Sequence, residues 1–103
     1  MTEVFVEIDG NHLLLSAKGH ATGSEIACAI VSAAVYGLAG TLRNAASLGM
    51  KVEVMTERLE PGDALIVCHG DGRAAAAFMQ AYITLAQVAR VLPEYIQTQC
   101  NFQ

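Results

Sequence analysis

The stretch Gly19–Ser32, GHATGSEIACAIVS, places a histidine in a glycine-flanked turn and a cysteine eight positions later, near the start of a long apolar segment. A thiol close to a helix N-terminus sits where the helix dipole favours the thiolate. With an imidazole near enough to take the thiol proton, these are the parts of a nucleophilic site in which Cys28 attacks a carbonyl carbon and His20 acts as base. Amides at the helix N-terminus would then donate to the developing oxyanion. Ser32 follows Cys28 by four residues and shares its helix face, where a hydroxyl can support the thiol. Glu25, three residues before Cys28, lies on the same side and can orient His20, although a first-turn acid also serves the helix dipole by itself. A cysteine in an Ala-rich helix ordinarily packs in a core. The upstream histidine is what singles Cys28 out.

The remaining reactive side chains carry less. Cys68 and His69 are neighbours on an expected strand, so they point to opposite faces and cannot pair directly. His69-Gly70-Asp71-Gly72 reads as turn chemistry at a strand end, with a small anion or ligand turn as the alternative. His12 reads as a solvated residue after a hairpin turn, Cys100 as part of a fraying tail, and Phe78 and Tyr82 as core. Cys28, Cys68 and Cys100 form an odd set with no short repeated spacing, which fits neither a disulfide framework nor a zinc site. Free thiols are expected, with no metal and no cofactor.

The elements that must position His20 and Cys28 follow from the hydrophobic pattern. Val4, Val6 and Ile8 recur at period two and mark a strand. Asp9-Gly10 closes a hairpin whose returning strand runs from Leu13 to Lys18. Thr22 or Ser24 caps a helix that reaches about Ser47, with Gly49 as its stop. Lys51–Glu57 alternates again, with Val52, Val54 and Thr56 on one face, and Pro61-Gly62-Asp63 is a turn. Ala64–His69 is a more central strand, after which Asp71 caps a second helix. That helix runs from Arg73 to about Val91, with Phe78, Tyr82, Leu85, Ala89 and Leu92 as its apolar stripe, and Pro93 ends it. Thr98–Gln103 is expected to fray. The order strand-strand-helix-strand-strand-helix predicts an α+β fold: a small mixed or antiparallel sheet with two helices packed on it, as one domain over residues 1–103.

Composition narrows the function. The chain has 103 residues, 53% of them hydrophobic, enough for one domain with a real core. Six Lys and Arg are scattered among ten Asp and Glu, for a net charge of -4, so no basic patch is available to follow a phosphate backbone and direct nucleic-acid binding is excluded. Ile26–Leu42 is almost wholly apolar, but it is Ala-rich and at or below spanning length. A central helix buried on the sheet, with a second subunit as further cover, is expected instead of a membrane span. MTEVFVEID lacks the basic and apolar regions of a secretory signal, so a cytoplasmic location is expected.

Gly19-His20-Ala21, followed by Glu25-Ile26-Ala27-Cys28-Ala29-Ile30-Val31-Ser32, resembles the ribosomal-processing cysteine protease Prp family. The opening hairpin, the later strand pair, the final helix and the Leu92-Pro93-Glu94-Tyr95-Ile96 ending resemble it too, so the likeness covers most of the chain. It implies a cysteine endopeptidase that removes a short N-terminal extension from a large-subunit ribosomal protein, with Cys28 as nucleophile and His20 as base. It also implies a homodimer, and a mobile loop between histidine and helix that covers the substrate. Glu25 stands where the family has Asp, and Ser32 matches the family's serine. The His20–Cys28 connection is several residues shorter than the family's Gly-rich loop, which implies a reduced or absent lid. A catalytically silent, dimeric relative that binds a peptide or ribosomal partner is the alternative.

Overall fold

The computed structural model describes residues 1–103. Two strands, β1 (Thr2–Asp9) and β2 (His12–Lys18), are followed by helix α1 (Glu25–Ser47), strands β3 (Val52–Glu60) and β4 (Asp63–Gly70), helix α2 (Gly72–Val91) and strand β5 (Ile96–Phe102). The five strands form one sheet in the order β3-β4-β2-β1-β5. All neighbours are antiparallel except β1 and β5, which run parallel, so the sheet is mixed. This is the expected α+β class with one strand more than the sequence reading counted.

The added strand corrects the expectation of a frayed tail. Residues 98–102 pair with β1 in the register Thr98 to Val4 and Cys100 to Val6. The Gln and Asn content of QTQCNF hides the strand from a hydrophobicity reading. Its alternation is nevertheless present, with Ile96 buried and Cys100 half-buried. Cys100 is therefore a strand residue.

A second correction concerns β3, which reaches Glu60 rather than Glu57. A bulge interrupts the pairing with β4, so that Val54 opposes Cys68 but Thr56 opposes Val67. Because the side-chain period is two, one extra residue reverses the face of all that follows. Thr56 therefore joins Val67 on the face opposite to that of Val52 and Val54.

Both helices lie on one face of the sheet. Val4, Val6, Leu13, Leu15, Ile66 and Cys68 meet Val35, Leu38, Leu42, Phe78 and Leu85 in a single core. Ser24 caps α1, its Oγ accepting from the Ala27 N–H at 3.1 Å, while Thr22 does not take part. Asp71 caps α2, accepting from the N–H groups of Arg73 and Ala74.

Helix α1 is less enclosed than expected. It is 23 residues long, and in length and apolarity it matches a membrane span. One face, with Val35, Leu38, Ala39 and Leu42, packs into the core with α2 and β3. The other face leaves Ile26 69% and Tyr36 58% exposed. The helix is thus a core element buried on one side only.

Candidate active site

The path from β2 to α1 begins with Gly19 and His20. Gly19 has φ of 90°, a conformation that costs a residue with a Cβ about 1–2 kcal/mol. A side chain there would also run into the Met1 carbonyl. The Gly19 N–H donates to the Gly62 carbonyl at 2.9 Å, which ties the end of β2 to the β3–β4 turn. Across that bond the His20 ring lies directly on Gly62: a Cβ at residue 62 would overlap the imidazole, and φ of 70° makes a side chain there strained as well. The Pro61-Gly62 turn is thus the seat of the histidine, a role the sequence shows only as a turn signal.

The connection then tightens. Ala21 is buried, the Ser24 N–H donates to its carbonyl at 3.1 Å, and Gly23 rests against the Tyr95 ring. These contacts hold the segment down on the domain. Helix α1 starts at Glu25, which puts Cys28 at its fourth position, with an exposed thiol.

His20, Cys28 and Ser32 line one cleft of about 220 Å³, walled by Val31, Val35, Tyr36 and Leu59 and closed at one end by the 59–64 turn. No hydrogen bond joins imidazole to thiol in this state. The pair shares a cavity, and apo sites commonly tighten such contacts only with substrate bound. Glu25 is exposed on the first turn of α1 and does not line the cleft.

The Cys28 N–H donates to the Ser24 carbonyl, and the Ala27 N–H is held by the Ser24 hydroxyl. The amides closest to the thiol are therefore already paired, contrary to their expected use as oxyanion donors. Ser32, one turn on, keeps a hydroxyl in the cleft without a protein partner.

The turn side of the cleft is acidic, with Glu60 and Asp63. Arg58 grips Asp63 through two bonds of 3.0 Å, and this holds the Asp63 carboxyl below its usual range. The other thiols differ from Cys28. Cys68 is wholly buried next to exposed His69, as strand alternation requires, and burial pushes its thiol up. No group of three or more His, Cys, Asp or Glu side chains is arranged to hold a metal ion.

A family model described as cysteine protease Prp matches residues 1–97. The chain belongs to the Prp cysteine protease family. Solved structures show the same fold at low identity. The essential ribosomal processing protease Prp of S. aureus, in complex with a covalently linked product peptide, superposes with a TM-score of 0.72 at 18% identity, covering 100% of both chains. SMU.848 of Streptococcus mutans gives 0.64 at 20% identity, over 100% of this chain and 96% of that one. The S. aureus protease with a substrate peptide gives 0.63 at 15% identity, over 98% and 100%. No curated protein matches by sequence.

Proposed function

We propose that this chain is a cysteine endopeptidase in which Cys28 is the nucleophile and His20 the general base and acid. The observation that carries the reading is the common cleft: an exposed thiol on the opening turns of α1 faces the same cavity as an imidazole seated on Gly62. In the first step His20 takes the thiol proton and Sγ bonds to the scissile carbonyl carbon. The tetrahedral intermediate collapses to a thioester as His20 returns the proton to the leaving amine. Water, deprotonated by His20, then attacks the thioester and releases the acid and the free thiol. Ser32 donates to the reacting group from the cleft wall, and Glu25 complements the positive end of α1.

The substrate we infer is the N-terminal extension of a large-subunit ribosomal protein, since the relative with this fold is a ribosomal processing protease held with substrate and product peptides. That substrate places the protein in the cytoplasm. A homodimer is part of the same reading, supported by the uncovered apolar side of α1 with Ile26 and Tyr36. The pinned 21–24 segment supports a site without a long lid.

The test is incubation of the purified protein with the extended ribosomal protein, read by mass. A discrete N-terminal truncation by wild type, lost with Cys28→Ser and with His20→Ala while both variants stay folded, is expected. An intact substrate together with a thiol that alkylates equally in wild type and His20→Ala would replace the protease with a silent peptide-binding scaffold.

A further inference from the structure

A pair of histidines lies at the other end of the sheet, on the face that carries no helix. His12 of β2 and His69 of β4 are register partners, and His12 Nδ1 stands 3.3 Å from His69 Nε2. Their rings meet edge to face, with centroids 5.4 Å apart. The register extends the row on both sides: Asp9 opposes His12 across β1–β2, and Glu53 opposes His69 across β3–β4. Two imidazoles thus sit side by side between two carboxylates, in a line across four strands. The adjoining surface groove beside His69 also contains Lys51 and Asp71, the latter tied to Arg73.

We propose that His12 and His69 form a two-ligand site for a divalent transition-metal ion, with Zn²⁺ as the type case. Imidazole nitrogens bind Zn²⁺ at about 2.0–2.1 Å, so two of them at a tetrahedral angle stand about 3.3–3.4 Å apart. The 3.3 Å spacing already present has that bite. The contact is a ring N–H···N hydrogen bond between strands held in register, so Zn²⁺ takes the place of the shared proton, which leaves to solvent, as the two rings turn off the N···N line toward one ion. No third protein ligand completes the set, and water fills the other positions, which makes the site open and exchangeable. The flanking Asp9 and Glu53 supply a negative field that favours a cation. The site is separate from the cleft: His12 and Lys18 are at opposite ends of β2, roughly 20 Å apart at strand rise.

The experiment titrates Zn²⁺ alone, at neutral pH, into the Cys28→Ser chain, which removes the exposed thiol as a competing ligand. Calorimetry should show one ion per chain. The unfolding temperature should rise with Zn²⁺, since the ion binds the folded ladder and not the separated strands. His12→Gln and His69→Gln should each weaken binding at least about tenfold, comparable to the loss of a supporting partner in established sites. NMR on the Cys28→Ser chain gives a second reading that needs no further variant: the His12 Nδ1 and His69 Nε2 resonances should move together with Zn²⁺, while those of His20 stay in place. No uptake by the Cys28→Ser chain, uptake unchanged when both histidines are replaced, or a response confined to His20 would each overturn the site. None of these outcomes bears on whether Cys28 cleaves a peptide.

Discussion

The fold contains two strand-to-helix connections built from similar parts, and they do different things. Each leaves a strand near a histidine, passes a glycine and reaches an N-cap. From β2 the path runs Gly19-His20 through Gly23 to the Ser24 cap; from β4 it runs His69-Gly70 straight into the Asp71 cap. Since β2 and β4 are antiparallel, the two helices start at opposite ends of the sheet. The longer connection leaves room for a cleft between α1 and the β3–β4 turn, with an exposed cysteine at helix position four. The direct one is close-packed against its own helix: a Cβ on Gly70 would collide with Ala74 of the first turn of α2, and the fourth helix position is Ala75. In this fold, a few residues of loop separate a cysteine-lined cleft from a close-packed joint.

A change in the core both connections share should erase the contrast. Leu85 is wholly buried beneath the sheet, and Leu85→Ala should cost about 2–5 kcal/mol in urea unfolding, loosening both joints together. Loss confined to one joint in hydrogen exchange would mean that the two ends unfold independently.

Glycine substitutions should separate the joints. Gly62→Val pushes the His20 ring from its seat, and peptide turnover should fall on the order of a hundredfold, mainly in kcat, because the proposed base loses its orientation. Gly70→Ala should leave turnover per folded molecule unchanged while costing about 1–3 kcal/mol of stability through overpacking against Ala74. If Gly70→Ala impaired kcat as much as Gly62→Val, the far end would be coupled to the cleft.

The unequal legibility of these regions has physical causes. Period-two alternation and Asx-Gly punctuation reveal β1, β2 and β4 because those strands bury one face on the helices. The same test fails for β5, whose Gln97, Gln99 and Asn101 border the open face and whose pairing is a long-range parallel contact with β1. It also fails at Met55, where the bulge reverses the strand without any glycine to mark it. His20, Cys28 and Ser32 were legible as a group because strand end, turn and helix start are consecutive in the chain. Gly62 was not, since its role depends on a contact between segments some forty residues apart. The His12–His69 pair was hidden for the same reason, because only the β2–β4 register brings the two together.

Smaller effects test the caps. Ser24→Ala removes the acceptor of the Ala27 N–H and should cost about 0.5–2 kcal/mol, with faster amide exchange at Ala27 and a less ordered first turn beneath Cys28. Turnover should drop only slightly, since the Ser24 carbonyl still receives the Cys28 N–H. An unchanged Ala27 amide would show that Thr22 can take over as cap.

The finest distinction is that one cap titrates and the other does not. The Arg73 side chain, and after it the Ala74 N–H, hold the Asp71 carboxyl below its ordinary value. A carboxylate whose folded value lies below the unfolded one contributes stability that is present above the unfolded value of about 3.9 and is lost as pH falls through the folded value. Both groups are exposed enough that screening keeps the effect small. It should therefore be read locally rather than in total stability. As acid is added, the Arg73 and Ala74 amide resonances should shift with a common midpoint below the usual Asp value, and Asp71→Asn should remove that titration. The Ala27 amide, bonded to a hydroxyl, should show no such midpoint, and a matching shift there would mean that the two connections share one electrostatic response.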